Sequence, residues 1–176
     1  MPELSSVSGF APLVTVGARI LVLGSLPSKL SLQTGQYYGN PQNAFWRLMG
    51  DIFDAGTELP YSERANRLSK SGVAVWDVLQ SSVRPGSMDS AIDQSTAVAN
   101  DFTSFFAQSP NIQLVCFNGQ KAAQMFERLV VPDIGDQFES LRYQTLPSTS
   151  PAYAAMSFDE KLRHWSVLKT EIYAYR

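Results

Sequence analysis

The chain has 176 residues, 44% of them hydrophobic and 17% charged, which suits one compact domain and excludes a disordered chain. A single cysteine, Cys116, and a single histidine, His164, exclude an intrachain disulfide, a Cys/His zinc site and a four-cysteine iron–sulfur cluster. The net charge of −2 argues against a bulk nucleic-acid binder, and no apolar run approaches the roughly 20 residues of a membrane helix.

Residues 1–17 read as an N-terminal extension of a single domain spanning 1–176. Residues 1–11 show no basic flank followed by an apolar block, so no secretory signal is expected. With one cysteine, this points to a cytoplasmic location. Residues 19–23 (RILVL) read as a short buried strand that runs into a Gly-Ser turn. Residues 44–53 read as a helix, with Phe45, Leu48, Met49 and Ile52 at spacings of three and four. Residues 62–71 predict a second helix stopped by Gly72, and residues 73–78 a second strand. Residues 80–90, with Arg84, Pro85 and Gly86, read as a polar loop. A helix over 96–107 would bury Val98, Phe102, Phe105 and Phe106. An apolar strand over 112–117 and a helix over 120–130 follow. Residues 141–146 form a last strand stopped by Pro147, and Ser157 with Glu160 makes a capping box for a final helix towards Tyr173.

Strands separated by helices imply an α/β fold: a three-layer αβα sandwich around a mostly parallel four-stranded sheet. Ligands of such sheets bind beyond the carboxyl ends of the strands. Those ends carry residues 24–28 (GSLPS), Trp76-Asp77, Asn118-Gly119 and residues 146–151 (LPSTSP), so four loops should converge on one site. Acids are sparse there. Residues 4–50 hold Arg19, Lys29 and Arg47 and no Asp or Glu, and residues 140–158 hold Arg142 and no acid. A phosphate backbone could approach such surfaces without like-charge repulsion.

Familiar catalytic patterns are missing. His164 has no G-x-S-x-G elbow to serve, Cys116 sits inside an apolar strand, and no phosphate-binding glycine loop exists. One block stands out: residues 24–28, then residues 36–46 (QYYGNPQNAFW). Tyrosine faces can stack on a planar base, and an asparagine amide can hold a base edge or a water. Asn43 equally suits a helix N-cap, and Tyr37 and Tyr38 equally suit packing of the loop.

The order G-S-L-P-S, Q-Y-Y-G-N-P-Q-N-A-F-W, G-V-A-V-W-D-V-L, R-P-G-S-M-D-S, F-N-G-Q-K-A and L-P-S-T-S-P-A resembles the hypoxanthine-DNA glycosylase branch (family 6) of the uracil-DNA glycosylase superfamily. The resemblance runs from about Arg19 to the C-terminus. The first block is also similar to mismatch-specific uracil/thymine glycosylases, whose turn asparagine positions the attacking water. Leu26 stands there in this chain. The resemblance to the hypoxanthine branch implies that Asn43 takes that role and that Asn118 is a second functional asparagine. It also implies that the 146–152 loop wedges into DNA. That loop has no histidine, which removes a group that would stabilise a leaving uracil anion.

The resemblance implies a base flipped from the duplex and hydrolysed from its sugar by a monofunctional DNA-deoxyinosine glycosylase without metal, cluster or cofactor. In this reading Asn43 and Asn118 are catalytic. Gly24, Ser25, Leu26, Pro27, Tyr38, Phe45 and Phe117 form the base pocket, and Ser28, Ser87, Ser148, Thr149 and Ser150 contact DNA. Asp77 either caps its loop or helps to position the water. The partner is DNA with a deaminated base, no membrane is involved, and the protein acts as a monomer. Two alternatives stay open: a mismatch-specific uracil glycosylase, and a non-catalytic DNA-binding module of the same fold.

Overall fold

The computed structural model describes residues 5–174; the first four residues of the expected N-terminal extension and the last two of the chain lie outside them. In chain order the strands are β1 (Ser6–Ser8), β2 (Ile20–Gly24), β3 (Val73–Asp77), β4 (Leu79–Val83), β5 (Val98–Ala99), β6 (Leu114–Asn118) and β7 (Arg142–Leu146). The α-helices are α1 (Lys29–Thr34), α2 (Phe45–Phe53), α3 (Tyr61–Lys70), α4 (Phe102–Gln108), α5 (Gln120–Leu129), α6 (Val131–Ile134), α7 (Phe158–Trp165) and α8 (Val167–Tyr173).

The fold is α/β, with a four-stranded parallel sheet of order β3-β2-β6-β7 flanked by helices. Every residue of β2 and β3 is buried. That is why these strands read as continuous apolar runs and not as alternating ones: a sheet covered on both faces has no wet side. α2 contacts α3 and α8, whereas α5 and α4 contact α6. α2 turns Phe45, Trp46, Leu48, Met49 and Ile52 into the core. A second, small antiparallel sheet of order β1-β4-β5 lies alongside. Among the described residues no helix is long and apolar enough to cross a membrane.

Three expectations change. The loop expected over 80–90 begins with β4, which pairs with β1 and β5. Its polar sequence hides a strand because the inward residue is Ser82, whose hydroxyl is satisfied by the Asp93 carbonyl at 3.1 Å. The helix expected over 96–107 starts only at Phe102, where the Asp101 carboxylate accepts from Ser104 N. Upstream of that cap, Val98 belongs to β5 and is 49% exposed. The final helix breaks into α7 and α8 at Ser166, whose Oγ donates to the Leu162 carbonyl at 2.6 Å.

The capping box of α7 forms as the sequence predicts: Ser157 Oγ accepts from Glu160 N, and Glu160 Oε2 accepts from Ser157 N. Ser157→Ala should therefore lower stability by about 1 kcal/mol in urea unfolding, with an unchanged slope.

Candidate functional site

The parallel register sets the level of the site. Gly24 pairs with Asp77, Leu23 with Phe117, and Asn118 with Leu146. The four strands end together, and the loops that leave them enclose a cavity of about 400 Å³. Of the residues expected to form the site, Gly24, Ser25, Leu26, Pro27, Ser28, Tyr38, Asn43, Asp77, Ser87, Asn118, Ser148, Thr149 and Ser150 all line it.

Phe45 and Phe117 do not, and they cannot stack on a bound base as expected. Phe45 is fully buried at the start of α2, behind the Tyr38 ring, which stacks on it at 4.0 Å between centroids. Phe117 alternates with Asn118 along β6 and packs against Phe126 and Tyr143.

Thr149 also changes role. It is 1% exposed, so its hydroxyl does not face a phosphate. Its backbone N–H donates to Asn118 Oδ1 at 2.9 Å, and its Oγ1 accepts from Asn118 Nδ2 at 2.9 Å. Its carbonyl accepts from Ala44 N at 3.0 Å. Thr149 thus ties the two asparagine-bearing segments together. Asn118 spends its carbonyl oxygen and one amide hydrogen on this loop and keeps one N–H for a ligand. Two further bonds hold the loop, from Trp165 Nε1 to the Pro147 carbonyl and from Lys161 Nζ to the Tyr153 carbonyl, each 2.9 Å. Gly119, at φ 92°, passes close to the same loop: a Cβ there would lie 3.2 Å from Ser148 Cβ.

Asn43 is not the N-cap of α2, a position that Ala44 takes, but it lies directly before it. Its Oδ1 accepts from Phe45 N at 2.9 Å, so it secures the start of α2, and it still lines the cavity. A second lone pair on Oδ1 and the Nδ2 group are left for a ligand or a water. Ser28 caps α1 by accepting from Ser31 N, and exposed Ser87 accepts from Lys29 N at 2.9 Å. Ser148 and Ser150 are half-buried and brace their own turn.

Among the described residues Tyr38 is one of two non-glycine residues with positive φ, at 53°. A tyrosine there is strained, and its surroundings must hold it. They do: Tyr37 N donates to Tyr61 Oη, Trp46 Nε1 donates to the Tyr37 carbonyl at 2.8 Å, and Gly39 N donates to Ser31 Oγ. Tyr37 itself is a packing residue, its hydroxyl bonded to the Ala11 carbonyl at 2.8 Å. Burial, then the charge of Asp77, push the Tyr38 hydroxyl far above the usual phenol range, so it stays protonated. The Asn118 amide opposes that shift but makes no hydrogen bond of good geometry to Oη.

Arg84 and Asp89 shape the site and escaped the sequence. Arg84 is 4% exposed and donates to the Leu26 and Pro27 carbonyls and to Gly86, so it clamps the turn after β2. Asp89 accepts from Ser25 Oγ at 2.5 Å. Both come from the stretch read as a plain polar loop, where no periodicity marks a buried arginine. His164 is exposed, and burial pushes the Cys116 thiol up to about 12, so neither serves the site.

The family model described as the uracil DNA glycosylase superfamily matches residues 11–170. A hypoxanthine DNA glycosylase of Methanosarcina acetivorans is 37% identical over 147 residues, 82% of this chain and 86% of the relative. A hypoxanthine DNA glycosylase of Methanosarcina barkeri is 37% identical over 117 residues, 66% of this chain and 73% of the relative. A solution NMR structure from M. acetivorans, described as that of a candidate uracil DNA glycosylase, superposes with a TM-score of 0.77 at 32% identity. That match covers 95% of this chain and 99% of the other.

The buried Asp77 carboxyl carries a pH signature of its own. Burial, then the Asp89 charge, raise it from 3.8 to about 7, with Arg84 opposing. A carboxyl raised on folding favours the fold below its unfolded value, and that contribution is lost as pH rises through about 7. Asp77→Asn should therefore stabilise the protein by roughly 2–4 kcal/mol at pH 8, and the gain should vanish near pH 4, as read from thermal melts at both pH values.

Proposed function

This chain belongs to the uracil DNA glycosylase superfamily, and on that footing we propose that it removes hypoxanthine from DNA by hydrolysis of the N-glycosidic bond. The observation that carries this reading is the 37% identity to a hypoxanthine DNA glycosylase across 82% of the chain. Asn43 and Asn118 line one cavity within that span, which supports the same reading.

In this reading the flipped nucleotide enters the cavity base first and its phosphates stay at the mouth, near Ser28, Ser87, Ser148 and Ser150. Asn43 receives a hydrogen bond from the attacking water through its second Oδ1 lone pair and aims the water at C1′. The water oxygen bonds to C1′ as the C1′–N9 bond breaks. The bonding pair leaves with the base, which takes up a proton, and the water loses one to solvent. An asparagine is a weak base, so rate comes from positioning and from stabilising the charge that develops, not from strong proton abstraction. Asn118 contributes by fixing the 147–151 loop and offers its remaining N–H to the base. Among the described residues no lysine lines the cavity to act as a Schiff-base nucleophile, and we read the enzyme as a glycosylase without strand cleavage. A cytoplasmic enzyme that engages one lesion as a monomer completes the proposal.

The test is a labelled duplex carrying one deoxyinosine, beside one carrying one deoxyuridine, each treated with alkali after incubation. Breakage at inosine is expected, and breakage at uracil alone would move the assignment to a uracil glycosylase. Asn43→Ala should slow single-turnover release by about a hundredfold or more while the protein stays folded. Full activity in that variant would remove Asn43 from the mechanism.

A further inference from the structure

Among the described residues, two buried side-chain polar atoms lack any hydrogen-bond partner, and they lie in the same place: Tyr38 Oη and Asp77 Oδ2. An unpaired buried polar atom is rare and asks for a reason. The two side chains come from different elements and meet over one glycine. A Cβ on Gly24 would lie 2.6 Å from Asp77 Oδ1 and 3.2 Å from Tyr38 Oη, so only glycine leaves room for both groups. Both residues line the cavity.

Depth assigns them to one part of a substrate. Asp77 is 4% exposed, whereas Ser148 and Ser150 are half-buried and Ser87 is exposed. A flipped nucleotide remains tied to the duplex through its sugar, so it enters base first. The part that reaches deepest is the edge farthest from the sugar. In a purine that edge is the six-membered ring with N1 and the substituent at position 6. The sequence offered Asp77 either as a cap of its loop or as an aid to the water. Its depth directs it instead at the base, away from C1′.

We propose that Asp77 and Tyr38 together read the deaminated edge of the base, the ionised Asp77 carboxyl accepting the N1–H of hypoxanthine while the Tyr38 hydroxyl donates to O6. This rests on the glycosylase reading above. The pair separates a deaminated base from its parent amine. Adenine has a bare lone pair at N1, which the carboxylate repels, and an amino group where O6 would be. Uracil presents a carbonyl beside an N–H in the same order as hypoxanthine, so this pair accepts the edge left by deamination of either amine. Guanine shares the edge too, and its exclusion falls to its 2-amino group and its stable base pair.

The discrimination depends on charge. The groups that face Asp77 are Asp89 and Arg84, of opposite sign, and the neutral hydroxyls of Tyr37 and Tyr38. Burial and Asp89 hold the carboxyl near 7, with Arg84 opposing. Above that pH the carboxylate only accepts. Below it the acid can donate to N1 of adenine and accept from its amino group, so adenine becomes a fit. An amide at this position can make both sets of bonds at any pH.

The test uses the free bases hypoxanthine and adenine as probes of the intact protein, followed by ligand-observed NMR at pH 6 and pH 8. The wild type should prefer hypoxanthine at pH 8 by about tenfold or more, and the preference should shrink at pH 6. Asp77→Asn, checked for folding by thermal melt, should bind both bases with little preference at either pH. Tyr38→Phe should weaken hypoxanthine at both pH values. The proposal is overturned by an Asp77→Asn protein that keeps the wild-type preference, by a wild-type preference that does not change with pH, or by a wild type that binds neither base. A wild type that cleaves the inosine duplex while Asp77→Asn keeps its preference removes only the role of Asp77. A wild type that leaves inosine untouched removes the glycosylase reading itself.

Discussion

Everything at this site depends on four parallel strands that end at one level. Parallel pairing puts Gly24 beside Asp77 and Asn118 beside Leu146. A shift of one residue in β2 against β3 would replace the glycine opposite the carboxyl with Leu23 or Ser25, and the carboxyl would lose its space. Buried apolar runs on both faces of the sheet hold that register. Core packing, far from the chemistry, thus fixes where a carboxyl, a phenol and two amides meet.

The loops above the strands are braced in a way that such loops rarely achieve by backbone pairing alone. Arg84 holds the carbonyls after β2, Asn118 and Ala44 hold Thr149, and Trp165 holds Pro147. Arg84, Asn118 and Trp165 act through their side chains, and Ala44 through its backbone N–H. This explains why a strained Tyr38 can persist. Its neighbours on both sides are pinned and its ring rests on Phe45, so relaxing one torsion would break several contacts at once. A site built so has little reorganisation left to do when a ligand arrives.

The four core strands were legible because buried parallel strands have a strong signature, and the capping box fixed the start of α7. The loops at their ends were legible as one site because the rule for parallel sheets is topological and needs no side-chain detail. What escaped were features whose signals are not periodic. β4 buries a serine, the helix expected from 96 waits for the Asp101 cap, and α1 is too short to show a repeat. Thr149 and Phe117 were assigned outward because residue type suggests contact chemistry, while burial decides whether a group is presented at all. Arg84 was invisible for the opposite reason: a buried arginine that bonds only to carbonyls leaves no charge partner in the sequence to mark it.

Charge offers the last link. An acidic protein must bring a polyanion to a cavity whose floor holds Asp77 and whose side holds Asp89. The acid-free segments over 4–50 and 140–158 supply most of the cavity wall. Asp89, which enters from a third segment, is tied to Ser25, and Arg84 lies close enough to both acids to oppose their charge. In the proposed binding mode the phosphates stay at the mouth, among serine hydroxyls and backbone, and only a neutral base descends towards the carboxylate. Negative charge at the floor is then no obstacle to DNA. It acts on what goes deepest, where a single lone pair on the wrong base is placed against it at short range and in a low dielectric.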